Sequence, residues 1–336
     1  VRIGLALPHY DFSLPGGGSV SFTRTAEVAR RAEELGFDSV WISDHFFLSL
    51  ARYGGTPEPQ GSLEPLTTLA ALAVTTGRVR LGTLVLCAPF RHPVILAKTA
   101  SAIDLLSGGR LDLGIGAGWY GEEFEAFGVP FGTVGERFLI LEETLRVLVA
   151  LFGEQEPVTF EGRRFRLRGA YNRPRPAQRP RPPLWVGSKG GERSLRIAAR
   201  HADGWNTVWR WAPDAYEERV RRAREICEEE GRDPSTLRLS IGLYSIVGED
   251  RRDLAARIRA AQRWMPDGAL GAEGLEGFSL DTLTGTPERV LERIAAFAAL
   301  GVEEIVVSPA PIPFAVPDVS VLDVWAERII PEARAL

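Results

Sequence analysis

Short apolar runs and amphipathic stretches take turns along the whole of this 336-residue chain, about eight times over, with no composition break to mark a linker. Strand-like runs occupy 3–7, 39–42, 79–86, 109–115, 184–186, 204–208, 237–247 and 301–307. Helix-like segments lie at 22–35, 65–75, 94–106, 134–152, 192–201, 214–230, 253–264 and 287–300, with a last one near 321–336. Strands separated by helices cannot pair as hairpins, so they align in parallel. Eight such units predict an α/β fold closed as a TIM (β/α)8 barrel, in a single domain over 1–336. A doubly wound dinucleotide fold is disfavoured because no Gly-x-Gly-x-x-Gly follows the first strand. Gly114–Gly118 supplies only a late Gly-x-Gly-x-Gly.

The strand at 79–86 is almost unbroken in Val and Leu and stops at Pro89, as a strand buried on both faces should. Three stretches depart from the alternation. The segment 46–61, rich in Gly and Pro, reads as a long loop, as does 266–278. In 157–181, two short β-prone runs flank Glu161-Gly162 as a hairpin, and an Arg/Pro-rich connector at 173–183 follows. A glycine run, Gly16-Gly-Gly18, opens the connection after the first strand.

Composition excludes several function classes. Hydrophobic residues at 45% and charged residues at 25% suit a sizeable core, and a net charge of −4 gives no reason to expect nucleic acid or an anionic membrane. No apolar run nears the roughly 20 residues needed to span a bilayer, and the first residues carry no charged-then-apolar signal pattern, so a cytoplasmic protein is expected. The two cysteines, Cys87 and Cys227, stand far apart, as free thiols in a reducing compartment would. Four histidines show no metal-ligand spacing, so no metal site is expected.

Barrel chemistry belongs at the C-terminal strand ends. His45 follows Asp44 at such an end and suits a general acid or a neutral donor. Gly187-Ser188-Lys189-Gly190-Gly191 leaves a strand and opens a helix, where exposed N–H groups favour a phosphate, with Lys189, Arg193 and Ser194 adding charge-assisted contacts. A plain β–α turn is the other reading of that loop. Trp119, Trp185, Trp205, Trp209 and Trp211 sit at or beyond strand ends, where aromatics line pockets for flat rings or simply pack. Glu122 and Glu123 begin or cap a short helix beside Trp119.

Taken together, Gly36-Phe-Asp-Ser-Val-Trp-Ile-Ser-Asp-His45, Leu81-Gly-Thr-Leu-Val85, Gly109-Arg-Leu-Asp-Leu-Gly-Ile-Gly-Ala-Gly-Trp119 with Glu123-Phe124, Gly135-Glu-Arg-Phe138 and Ala202-Asp-Gly-Trp205 resemble the bacterial-luciferase-like monooxygenase superfamily, and within it the F420-dependent oxidoreductases. The resemblance implies a homodimeric barrel holding coenzyme F420, or alternatively FMN, at its C-terminal mouth. It implies a non-proline cis bond at Leu84–Val85 backing the ring, His45 as the catalytic residue, and Asp44, Cys87, Ala117 and Gly118 at the cofactor. Gly190, Gly191, Arg193 and Ser194 match the phosphate-contacting loop, and Gly187 and Ser188 before them are expected to bind the cofactor as well.

The chain departs from the F420-dependent glucose-6-phosphate dehydrogenases at Trp119, Ser49 and Trp211, where those enzymes carry a catalytic Glu, a Trp and a phosphate-binding Lys. A small, apolar organic substrate is expected instead, in a pocket with Trp119, Trp209 and Trp211. The implied activity is hydride transfer between deazaflavin and substrate. An FMN monooxygenase using O2 and an F420-binding protein without turnover are the alternatives.

Overall fold

The computed structural model describes every residue except Pro15, Gly16, Gly17 and Glu273, together with the side chains of Trp264 and Asp267. Most of the glycine run at 16–18 thus lies outside the described residues. Eight parallel strands form the barrel: β1 (Arg2–Ala6), β2 (Ser39–Ile42), β3 (Arg80–Thr83), β4 (Leu111–Gly116), β5 (Leu184–Gly187), β6 (Gly204–Trp209), β7 (Arg238–Val247) and β8 (Val302–Ser308). Each pairs with its sequence neighbours, and β8 closes the circle on β1 through Leu5↔Val307. The register between β4 and β5 runs through Ile115↔Val186. The eight-unit alternation is therefore realised as a closed barrel.

Helices α1 (Phe22–Glu34), α2 (Pro65–Thr75) and α3 (Pro93–Leu106) cover the first strands. A short helix, α4 (Gly121–Ala126), precedes α5 (Val134–Phe152). The start of α5 is set by a capping box in which Thr133 Oγ1 accepts the Glu136 N–H at 3.2 Å and Glu136 accepts the Thr133 N–H at 2.9 Å. Leu141, Leu145, Leu148 and Phe152 then fall on its buried face, as their spacing requires. Helix α6 (Glu192–His201) follows β5, and α7 (Pro213–Glu229) follows β6.

The segment 266–278 is not the expected loop. A 3-10 turn at Asp267–Leu270 and a helix at Gly274–Leu280 occupy much of it, because Ala269 and Phe278 are buried. A further short strand, Leu283–Gly285, extends β7 through Ser245↔Leu283, which sequence alone did not suggest. Within 46–61, Phe47–Leu48 pairs antiparallel with Gln60–Gly61. The hairpin forms from Val158–Glu161 and Arg166–Ala170. The last helical segment, from Val321 to Ala333, widens to a π turn at Trp325–Ile329, just before Pro331, which has no N–H to continue an ordinary turn.

The lower barrel is filled by two indoles. Trp41 lies across Gly82, and Trp185 across Gly204, where a Cβ would overlap the rings. Each buried ring removes roughly 200 Å2 from water, worth at most on the order of 5 kcal/mol. Trp41 Nε1 donates to Ser39 Oγ at 2.7 Å and to Glu304 Oε1 at 3.2 Å, while Ser39 Oγ also donates to that carboxylate. Arg2 pairs with the other Glu304 oxygen at 2.9 Å. Trp185 Nε1 donates to Asp112 Oδ1 at 3.2 Å, and Arg80 holds Oδ2 at 2.5 Å. Trp185 therefore belongs to the floor and not to a pocket at the strand ends.

β3 does not stop at Thr83. Gly82 faces Asp112, yet Leu86, four residues on, faces Ile115, only three residues on. The extra residue is a bulge, and within it Leu84–Val85 is a non-proline cis bond, as the resemblance implied. Thr83 Oγ1 takes over the interrupted ladder by donating to Gly114 O at 2.8 Å and accepting the Gly114 N–H at 2.9 Å. Val85 nests against Gly114, Gly116 and Gly187, each a place where a Cβ would collide with it.

Candidate active site

A cavity of about 620 Å3 opens at the C-terminal ends of the strands. The bulge at Leu84 and Val85 forms part of its wall, with Ala117 and Gly118 beyond β4 and His45 beyond β2. Gly118 turns the chain at φ +79°, and a Cβ there would sit 2.7 Å from Cys87 Sγ and 3.0 Å from Phe124. That tight turn delivers α4 to the mouth, and with it Glu123.

Glu123 is only 1% exposed. One of its oxygens accepts from His45 Nδ1, and the other accepts the Phe46 N–H at 2.5 Å. A carboxylate on Nδ1 fixes the proton on that nitrogen. Nε2 makes no hydrogen bond to a described residue, and the ring lines the cavity. The imidazole is flanked by Trp119 and Tyr120, with ring centroids at 5.7 and 6.0 Å. The arrangement orients the ring and leaves one nitrogen that could serve a ligand as base or acid.

Asp44 serves the same end differently. It accepts both guanidinium nitrogens of Arg91 and the Cys87 N–H at 2.8 Å. Arg91 also reaches Glu64 at 2.7 Å. The pair ties β2 to the segment after the bulge, so Asp44 holds the wall of the cavity that it lines. Burial, followed by the Asp44 and Glu123 charges, pushes the Cys87 thiol far up, which leaves it neutral and unreactive.

Beneath Tyr10 a buried chain runs inward. Tyr10 OH lies 2.5 Å from Ser43 Oγ, which lies 3.0 Å from His9 Nε2, and His9 Nδ1 donates to Leu7 O at 2.9 Å. The Ser43 N–H also points at Nε2, at 3.2 Å. Two donors on Nε2 require a neutral ring, and desolvation accordingly lowers the His9 pKa to about 3.

The loop after β5 divides. Gly187, Ser188 and Lys189 line the cavity, whereas Gly190, Gly191, Arg193 and Ser194 lie beyond its lining. Gly191 caps α6, Ser194 Oγ donates to Gly191 O at 2.7 Å, and Arg193 donates to Gly135 O at 3.1 Å. Lys189 donates to Val208 O, and burial with the nearby Arg52 charge lowers its pKa to about 8.

The tryptophans separate as well. Trp119 and Trp209 line the cavity, with Trp209 stacked on Tyr244 at 5.2 Å. Trp211 does not line it, and instead donates to Thr207 Oγ1 at 3.0 Å. Trp205 is fully buried against Tyr216. A second non-proline cis bond, Val208–Trp209, ends β6, and Phe314, at φ 55°, meets Trp209 edge-on.

Sequence reasoning missed Arg91, Tyr244, Phe314 and Arg52, and reached Tyr10 only as the last residue of a strand end, Pro8–Tyr10. No local signal marks the four, since Tyr244 comes from within β7 and the others from separate connections. Glu123 was visible only as part of a helix start. Among the described residues, no three or more His, Cys, Asp or Glu side chains converge as a metal site.

Residues 1–304 match the family described as luciferase-like monooxygenase. An F420-dependent glucose-6-phosphate dehydrogenase of Kineococcus radiotolerans is 35% identical over 245 residues, spanning 72% of this chain and 68% of that one. The fold is shared with an F420-dependent secondary alcohol dehydrogenase in complex with an F420-acetone adduct, at a TM-score of 0.79 and 23% identity over 99% of both chains. The monooxygenase RslO1 from Streptomyces bottropensis superposes with a TM-score of 0.74 and 26% identity, covering 98% of this chain and 99% of its own. A barrel with a bulged third strand and a carboxylate-held histidine at its mouth thus meets a family match over most of its length: the chain belongs to the luciferase-like monooxygenase family and is an enzyme of that oxidoreductase group.

Proposed function

We propose that this enzyme uses coenzyme F420 to exchange a hydride with a small organic alcohol or carbonyl compound. The observation that carries the reading is the placement of the Leu84–Val85 bulge and the free Nε2 of His45 on one cavity. The cavity volume lies within the usual range for cofactor sites. Gly116, Gly118 and Gly187 line it as well, and their missing side chains let Val85, Cys87 and Phe124 pack close behind the wall. Leu84, Val85, Cys87, Ala117 and Gly118 would hold that ring, with Asp44 fixing the wall behind it. Gly187 and Ser188 would meet its side chain, and Gly190, Gly191, Arg193 and Ser194 a phosphate farther out.

When bound, the deazaflavin supplies or accepts the hydride, because carbon at the reactive ring position favours two-electron transfer. The protein does the rest. The walls hold the reactants in line. His45 Nε2 takes the proton from a substrate hydroxyl during oxidation, or returns it to the oxygen during reduction. Glu123 keeps the imidazole pointed at that oxygen and stabilises its charged form. Trp119 and Trp209 give the substrate an apolar surface.

An FMN monooxygenase is the second reading, favoured by the family description and by RslO1. The deciding experiment titrates the protein into F420 and into FMN separately while following the emission of each. Tight F420 binding, with its absorbance bleached or restored by alcohol or carbonyl substrates, supports the proposal. FMN binding with oxygen uptake, and none with reduced F420, overturns it. F420 binding without turnover on a broad alcohol and carbonyl panel overturns the hydride step and leaves a carrier.

The same reading includes a cytoplasmic homodimer. No described helix is long and apolar enough to cross a membrane. Val74 on α2, with Ile95 and Leu106 on α3, leaves exposed apolar groups on two neighbouring outer helices. Light scattering after size exclusion checks the dimer, and a monomer at working concentration overturns it.

A further inference from the structure

The cavity walls hold more positive charge than they neutralise. Of the carboxylates on the lining, Asp44 is engaged by Arg91 and Glu123 by His45. Of the cations, Arg210 pairs with Asp281 at 2.9 Å, and Arg137, which is buried, gives Nε and Nη1 to the Gly118, Phe131 and Gly132 carbonyls. Arg52 and Lys189 are the lining cations exposed to solvent. Among the described residues, neither has a carboxylate within 4.0 Å, and Arg52 makes no hydrogen bond.

Both sit where a ligand would meet them. The Arg52 guanidinium lies over the Trp119 ring at 4.9 Å, with its edge left for an acceptor. Lys189 lies over Trp211 at 5.4 Å and is fastened only to a backbone carbonyl. It is one of just two lysines in a chain whose other basic side chains are all arginine. Arg52 and Lys189 line the same cavity, and the Arg52 charge adds to burial in lowering the Lys189 pKa, against the opposing pull of Asp281. An oxyanion at the mouth would offer each of them a charge-assisted partner.

We propose that Arg52 and Lys189 form an anion clamp for the substrate, which is therefore an aromatic or otherwise apolar alcohol or carbonyl compound carrying a carboxylate. This deepens the function proposed above and rests on its placement of substrate at the mouth. It adds one charged group to the small, apolar substrate expected from the sequence. The other source of an oxyanion is the phosphate of the cofactor itself.

The test uses the protein without cofactor, so that its result stands apart from whether F420 is the coenzyme. Phenylacetate and its neutral isostere phenylacetamide are titrated separately, with tryptophan fluorescence as the readout. The expected result is about tenfold tighter binding of the carboxylate, the size of one charge-assisted hydrogen bond, with the preference shrinking as salt rises. Arg52→Met and Lys189→Gln should each reduce that preference severalfold, and the double variant should abolish it. A carboxylate binding no tighter than the amide, failure of both to bind included, overturns the clamp, as does a preference that survives the double variant.

A second arm compares F420 with the phosphate-free deazaflavin riboside. The double variant should bind both as the unaltered protein does. Loss of F420 affinity with riboside affinity retained assigns the two cations to the cofactor phosphate and overturns the substrate clamp. Failure of F420 to bind the unaltered protein, with the carboxylate preference intact, sinks the coenzyme reading and leaves the clamp standing.

Discussion

The two ends of the barrel carry the same kinds of residue and treat them in opposite ways. At the N-terminal floor, Glu304 accepts from Ser39, Trp41 and Arg2, and Asp112 from Arg80 and Trp185, with indoles filling the remaining space. At the mouth, Glu123 is just as buried, but it holds a histidine whose other nitrogen makes no hydrogen bond to a described residue, on a cavity that Arg52 and Lys189 also line. A carboxylate whose partners are all spent can only support the fold. One that leaves its partner half used can act on a ligand. Burial alone does not separate the two cases, whereas hydrogen-bond accounting does.

The widest gap between the ends should appear on replacing His45. His45→Ala is expected to lower kcat about 10^2- to 10^4-fold while cofactor affinity, followed by fluorescence, changes little. Unchanged turnover would remove the mouth's special standing. Glu304→Ala is the floor's counterpart. It strands Arg2, Ser39 and Trp41 and should cost about 3 kcal/mol or more in denaturant unfolding, with specific activity of the folded fraction preserved.

Glu123→Gln comes next. It keeps the shape but loses the charge behind Nδ1, so kcat should fall roughly 10- to 100-fold and the pH–rate profile should move. A drop in stability with no change in that profile would make Glu123 another floor-type carboxylate.

The smallest effect concerns His9. Its folded pKa of about 3 lies below the ordinary histidine value, so the unfolded chain binds the extra proton first. The stability it contributes is present above the ordinary value and is lost as pH falls. The loss from this group should reach about 1.4 kcal/mol by pH 5.5. Unfolding midpoints measured across pH 5–8 check the slope, and His9→Gln should flatten it.

Much of this was legible in the chain. The spacing at 134–152, the three apolar residues of β2 (Val40, Trp41 and Ile42) and the position of His45 are local signals, and they mark the barrel and one side of its site. Three things were not local. Glu123 stands 78 positions from the histidine it holds. Trp185 reads as a rim aromatic until the glycine across from it, Gly204, shows which way the ring must lie. Arg52, in a stretch that reads only as loop, gains meaning when Lys189 arrives from the far side of the barrel. The helix at Gly274–Leu280 was hidden by glycines that local propensity penalises, and burial of Phe278 outweighs them.

The excursions after β2 and β7 meet backbone to backbone at Gly54 and Gly268, with no room at either position for a side chain. Tyr53 and Tyr244 join hydroxyls at 3.1 Å just below. Neither excursion can therefore diverge on its own. A graft from a homologue that aims to change what this enzyme accepts has to carry both segments together, as one interlocking part.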